Sequence, residues 1–259
     1  MTAPRWYAVA LPAYLAGLLA LDTQVSLHGQ LALGALTFLV LAVALGPLPP
    51  LVRAQAIGVV LFATVGEVTG SLVWGVYHYR LHNLPLFIPP AHGLVYLSGI
   101  ALSRSLRARA VVSAAAVGAT AWGIAGLTLL PRVDVAGAVG VPLLLVFLWR
   151  SRSRATYAGV FLVVAALELY GTSIGTWRWA RELPGLGIPD GNPPSGVASG
   201  YVWFDLMALL VAPWLVYVAG RMLKPMVSSF SGAVRSSIRR REPSGTMSAS
   251  GASSRASVT

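Results

Sequence analysis

Eight apolar runs follow one another along this chain with only short polar breaks between them, and most are about as long as a bilayer core is thick. A hydrocarbon core of about 30 Å takes roughly 20 apolar residues per helix, and a helix is the one open-ended element that satisfies its own backbone there. The runs are Trp6 to Leu21, Leu31 to Leu45, Ala56 to Trp74, Ala91 to Ser103, Ala110 to Leu130, Val135 to Trp149, Ala155 to Gly175 and Gly200 to Gly220. Asp22 closes the first, and Gly46-Pro47-Leu48-Pro49-Pro50 breaks the second. The fourth is short for a span, so it is expected to begin earlier or to tilt little. Pro142 is a candidate kink in the sixth. The first run lacks the small-residue cleavage site of a signal peptide and counts as a span. With 56% hydrophobic and only 10% charged residues, the chain is too apolar for a soluble domain of its length. The expected fold is all-α: a polytopic membrane protein of about eight helices.

The net charge of +11 is distributed in a way that orients those spans. With the N-terminus cytoplasmic, Arg5, Arg53, Arg104, Arg107, Arg109, Arg150, Arg152, Arg154, Arg221, Lys224 and the tail arginines fall inside. Only Arg80, Arg132, Arg178 and Arg181 fall outside. That is the positive-inside asymmetry, and eight spans with both termini cytoplasmic in a cell membrane produce it. Anionic lipid headgroups are the expected partners of the basic face, and no nucleic-acid partner is needed to explain it. From about Val227 the chain is Ser, Gly, Ala and Arg with few large apolar residues, so 227–259 is expected to be a disordered cytoplasmic tail. The absence of cysteine excludes disulfides, thiolate nucleophiles and Cys-ligated metals.

A short motif occurs twice, about a hundred residues apart. Glu67, Gly70, Ser71, Gly75, Tyr77 and Tyr79 are followed in order by Glu168, Gly171, Thr172, Gly175, Trp177 and Trp179, with a one-residue gap before the second glycine. Leu84-Pro85, Pro89-Pro90 and His92-Gly93 are echoed by Leu183-Pro184, Pro193-Pro194 and Ser195-Gly196. The pattern reads as a duplicated four-helix unit, 1–109 and 110–226, in parallel orientation because each half has an even number of spans. Both aromatic-rich loops, Gly75 to Pro90 and Thr176 to Ser199, then share the extracytoplasmic face.

A carboxyl inside a bilayer costs several kcal/mol if charged and unpaired, so Glu67 and Glu168 should be protonated, hydrogen-bonded, or open to a water cavity. They are candidate catalytic acids; their structural reading is interhelical hydrogen bonding worth about 0.6 to 2 kcal/mol each. Asp205, able to pair with Arg178 or Arg181, and His92, a potential proton carrier, complete the candidate catalytic set. Trp74, Tyr77, Tyr79, Trp177, Trp179 and Tyr201 are either cavity-lining residues that bind a substrate or an interfacial aromatic belt. No histidine pair has metal-site spacing, and no phosphate loop or nucleophile elbow is present.

Gly66-Glu67, Gly70 and Trp74-Gly75-Val76-Tyr77-His78-Tyr79, followed by a Leu-Pro, resemble the signature of membrane carotenoid hydratases of the bisanhydrobacterioruberin hydratase type. Pro89 to Tyr96 and Asn192 to Gly196 also resemble runs in actinobacterial integral membrane proteins, a likeness that implies no activity. The hydratase resemblance implies hydration of an isoprenoid alkene: a neutral carboxylic acid gives the proton, aromatic faces stabilise the tertiary cation, and water captures it. Glu67 would be the acid, Glu168 or Asp205 would position water, and no cofactor is required. The rival expectations are a proton-coupled small-solute transporter or channel and a non-catalytic protein of an envelope assembly.

Overall fold

The computed structural model describes the backbone of residues 3–239 and the side chains of residues 3–221. The described chain is all-α apart from two short strands: α1 Tyr7–Asp22, α2 Leu27–Leu45, α3 Pro50–Glu67 running on as a π-helix Val68–Trp74, β1 Tyr77–Tyr79, α4 Ile88–Ser105, α5 Ala108–Thr128, α6 Val135–Arg150, α7 Arg154–Ser173, β2 Trp177–Trp179 and α8 Val197–Arg239. The eight expected helices are therefore present. Among the described residues, those up to Val216 form one compact unit and those from Tyr217 onward another. The tail expected to be disordered from Val227 lies outside the described side chains, and from residue 240 outside the described backbone.

Five helical segments are long and apolar enough to cross a membrane, namely Leu27–Leu45, Pro50–Trp74, Ala108–Thr128, Arg154–Ser173 and Val197–Arg221. They make this a multi-pass membrane protein. Tyr7–Asp22 and Val135–Arg150 are apolar but shorter, and Pro12 and Pro142 lie inside them. The outer faces carry large apolar side chains, among them Val9, Val73, Val117 and Val139, each more than two thirds exposed, as lipid-facing residues would be.

The interior is organised around α4. Its sequence is mixed, with Pro89, Pro90, His92, Ser98 and Ser103, yet it is buried along nearly its whole length. It starts at Ile88, earlier than its apolar run, because prolines at the first helical positions have no N–H to leave unsatisfied. Helices α1, α2, α3, α5 and α7 all pack against it. The hydroxyls of Ser98 and Ser103 return their bonds to the carbonyls of Leu94 and Ile100, at 2.7 and 2.8 Å. Close approach to α7 is possible because Gly99 lies against Val160: a Cβ there would meet the Val160 backbone nitrogen at 2.6 Å. Gly58 on α3 makes the corresponding approach to α8, where a Cβ would meet the Cα of Ala208 at 3.2 Å.

Three features differ from the sequence expectation. First, β1 and β2 join the two aromatic loops as an antiparallel pair, with Tyr77 opposite Trp179, His78 opposite Arg178 and Tyr79 opposite Trp177. Second, Pro89-Pro90 and His92 lie inside the first turns of α4, whereas Pro193-Pro194 and Ser195-Gly196 precede α8 in a longer loop. The echoed motifs therefore do not occupy like places in their helices. Third, two arginines expected only as outside charges act as clasps. Arg80 donates to the carbonyls of Asp22 and of Val25 (2.7 Å to the latter). Arg132 donates to the carbonyls of Trp179, Ala180 and Asp190, at 3.1 Å from the first and 2.8 Å from the last. Asp134 caps α6 and draws in the same loop, accepting from the N–H groups of Gly137, Gly191 and Ser195 at 3.0, 3.0 and 2.6 Å.

Candidate functional site

Beneath the two-stranded sheet lies a cavity of about 450 Å³ bordered by α1, α3 with its π-helical extension, α4, α7 and α8. Most of its wall is aliphatic or aromatic, including Leu15, Leu18 and Leu19 of α1, Phe87 before α4, and Phe204 of α8. Its polar groups gather on the side facing the sheet, and both glutamates are among them.

Glu67 sits where α3 turns into the π-helix. A π segment accommodates one residue more than an α-helix of the same rise, and the first copy of the motif has one residue more between its glutamate and its second glycine. That extra residue is the one-residue gap in the sequence match. Both copies then leave their helices through a glycine in the left-handed region, Gly75 at φ 76° and Gly175 at φ 81°, a conformation that disfavours any residue with a Cβ. The chain turns back at each glycine, so the aromatics of β1 and β2 hang over the carboxyl of their own copy.

The two oxygens of Glu67 have different partners. Its Oε2 accepts from the hydroxyls of Tyr77 and Tyr79, both at 2.6 Å. Its Oε1 lies 3.2 Å from Nε2 of His92. The other ring nitrogen, Nδ1, is 2.9 Å from the carbonyl of Ile88, which can only accept, so Nδ1 carries its hydrogen. Exchange at His92 is thereby confined to Nε2, and an acid proton on Glu67 is confined to the Oε1 side. A proton exchanged between the carboxyl and the imidazole would pass between Oε1 and Nε2. The hydroxyl of Tyr201 lies 3.1 Å from the same Nε2, and its ring stacks on His92 with centroids 5.5 Å apart.

Glu168, near the end of α7 and buried, has a simpler surrounding. Its Oε2 accepts from the indole N–H groups of Trp177 at 2.9 Å and Trp179 at 3.4 Å. Indole donates and never accepts, so nothing on that side can take or relay a proton. Tyr77 packs against Trp179 at 4.6 Å between centroids, and Tyr79 against Trp177 at 6.1 Å, which joins the two carboxyl environments through their aromatic covers.

The cavity thus brings together Glu67, Glu168 and His92 with Trp74, Tyr77, Tyr79, Trp177, Trp179 and Tyr201. Asp205 is not with them. It lies one turn beyond Tyr201 on α8, is 1% exposed, and neither carboxyl oxygen has a hydrogen-bond partner. The expected pairing with Arg178 or Arg181 is therefore not made. Trp74 is half exposed and fastens the π-helix to the second loop through its indole N–H, 2.9 Å from the carbonyl of Pro184. Sequence reasoning missed the α1 leucines and Phe204, which look like any other apolar residues of a span. It also missed the strands, although Tyr-His-Tyr and Trp-Arg-Trp alternate with the period of two that marks them. No protein-family model matches the chain, and neither a curated protein nor a solved structure is similar to it.

Proposed function

We propose that this protein is a membrane-embedded enzyme acting by acid catalysis on a lipid or isoprenoid substrate, with hydration of a C=C bond as its reaction. The observation that carries the reading is the Glu67–His92 pair, with Oε1 3.2 Å from Nε2, set into a cavity whose walls are mostly apolar and aromatic. An apolar wall suits a hydrocarbon, and the Glu67–His92 contact places a carboxyl and an imidazole, both able to carry a proton, at that wall. Proton transfer from Glu67 to one alkene carbon would consume the π pair and leave a tertiary cation on the other carbon. The faces of Tyr77, Tyr79, Trp177 and Trp179 would stabilise that cation. Water, positioned at Glu168, would give an electron pair to the cation. The proton shed by the added water would return Glu67 to its acid form, leaving a tertiary alcohol. The resemblance to carotenoid hydratases supports the same reaction.

Comparison of membrane lipids from cells with and without the protein, by mass spectrometry, is the test. A lipid that gains one water only when the protein is present, and not with Glu67→Gln, is the expected result. An unchanged lipid profile together with substrate-dependent proton flux in vesicles would overturn it in favour of a transporter.

The proposal includes an arrangement: eight membrane spans, both termini cytoplasmic, and two parallel four-helix repeats related by an axis along the membrane normal. Its support is geometric. The antiparallel register, with Tyr77 opposite Trp179 and Tyr79 opposite Trp177, is compatible with a two-fold that exchanges Tyr77 with Trp177 and Tyr79 with Trp179. The same operation exchanges the approach of Gly99 to α7 with that of Ala208 to α3, and the starts of α4 and α8 at Ile88 and Val197. It carries His92 onto Tyr201 rather than Ser195, so the two rings stack on each other next to the axis.

A further inference from the structure

We infer that the substrate of this site is a single linear hydrocarbon chain longer than the cavity, whose far end lies in a groove between α1 and α7; the inference rests on the enzymatic reading above. A second hollow, of about 310 Å³, runs along the seam of α1 and α7 over Leu102 of α4. It shares Leu167 with the cavity, and Leu167 directly precedes Glu168. On α1 the two hollows adjoin and overlap by about one turn: Leu15, Leu18 and Leu19 border the cavity, while Ala16, Pro12 and Ala8 border the groove. Those three are four residues apart and so lie in one row on the helix face. Ala166 faces the groove from α7 and is exposed. Ala8, Pro12 and Ala16 on α1, with Ala166 on α7, leave room in the seam beside Leu162, Val163, Leu167 and Tyr170.

The direction of the groove argues for its occupant. At the carboxyl end the cavity is covered by the sheet, with Tyr77, Tyr79 and Trp177 all buried. The groove adjoins the cavity at Leu167, and a substrate too long for the cavity can continue there. The groove leads away from the glutamates toward the start of α1. From Leu19 to Ala8 the helix spans about 16 Å, enough for a long chain and far more than a small solute needs. The groove carries no charged side chain, so a second headgroup has no partner in it. A larger hollow between α1 and α2, about 630 Å³, shares no lining residue with the cavity. Of these two hollows only the groove adjoins the cavity, so it offers a place for one chain.

The test uses the full-length protein in nanodiscs and a long-chain linear alcohol with a diazirine at its tail. Crosslinked peptides are read by mass spectrometry. The tail is expected to label α1 around Pro12 and α7 around Ala166, saturably, and the unlabelled alcohol should compete. Ala166→Trp fills the groove and should reduce labelling at least tenfold; Ala16→Phe is the second variant should the first not fold. Ala10→Trp fills the unconnected hollow and should change nothing. Glu67→Gln should retain labelling. Equal, non-saturable labelling by a phospholipid with the diazirine in its acyl chain would assign the groove to bulk lipid and overturn the inference. So would full labelling of a folded Ala166→Trp variant. Loss of groove binding beside an acid-dependent reaction overturns the chain placement alone, whereas saturable binding with full turnover in Glu67→Gln overturns the enzymatic reading alone.

Discussion

At Glu67 the substitution that separates chemistry from packing is Gln. The amide oxygen can accept from Tyr77 and Tyr79 while the amide nitrogen donates to Nε2 of His92, so each neighbour keeps a partner. Glu67→Gln should insert and fold as the parent does but lose about 10²- to 10⁴-fold in turnover, the usual contribution of a general acid. Glu168→Gln should cost less, because its two indole donors offer no proton path. A larger loss at Glu168 would mean that the halves have been assigned backwards. Asp190, in the loop outside the spans, gives a prediction about stability. Burial, with repulsion from Asp134 second and Arg132 only partly offsetting it, raises its carboxyl to about 7. A folded value above the unfolded one means that stability is full below about pH 4 and is lost as pH rises to about 7. Asp190→Asn should therefore raise the thermal midpoint at pH 8 and leave it unchanged near pH 4, provided the backbone bond from Arg132 to residue 190 persists.

At the scale of elements, the tightest crossing is the one α4 makes with α7. A methyl at Gly99 would meet backbone atoms of Val160, which cannot rotate away, so Gly99→Ala should destabilise by at least the ~1 to 3 kcal/mol of ordinary overpacking. Gly58→Ala, with 3.2 Å to Ala208, should cost less, and Gly17→Ala, which meets nothing within 4 Å, should be near neutral. Denaturation in detergent would rank the three, and the reverse order would refute this packing. The π-helix makes a different prediction. Because it holds one residue in excess, deleting the exposed Leu72 should be absorbed by reversion to an α-helix, leaving an inserted and folded protein. Deleting Leu169 from the regular helix α7 should not be tolerated, since every residue beyond it rotates by about 100°. The Leu72 deletion should nonetheless abolish turnover by moving Glu67 relative to Tyr77 and Tyr79.

For the whole molecule the topology is testable without removing any native cysteine, because there is none. Single cysteines at His78 and Leu186, both exposed near the sheet, should react with an impermeant reagent on intact cells. One at Arg107, between α4 and α5, should react only after the cells are opened. The reverse pattern would invert the proposed orientation. Asp190 would be a poor reporter on the same loop, since it is 2% exposed.

What the sequence determined by itself follows from local physics. A run of about 20 apolar residues must be a helix in a bilayer whatever surrounds it, and Pro and Gly end helices by their own dihedral limits, so eight helices were legible, although α3 begins at Pro50 rather than Ala56 and α8 runs past Gly220 to Arg239. The recurrence of Glu, Gly and paired aromatics likewise announced two carboxyls in like settings. Tertiary structure alone decided which groups meet. Nothing local distinguishes His92, brought to Glu67 and Tyr201 by packing of α3, α4 and α8, from a buried histidine bonded elsewhere. Nothing local separates Asp205, left without a partner, from the glutamates. The leucines of α1 line a cavity only because α1 packs on α4 and α7, and hydropathy is blind to that. Apolar periodicity states what a residue must avoid, which is water, whereas a site is defined by neighbours far along the chain, and those are set only when the helices pack.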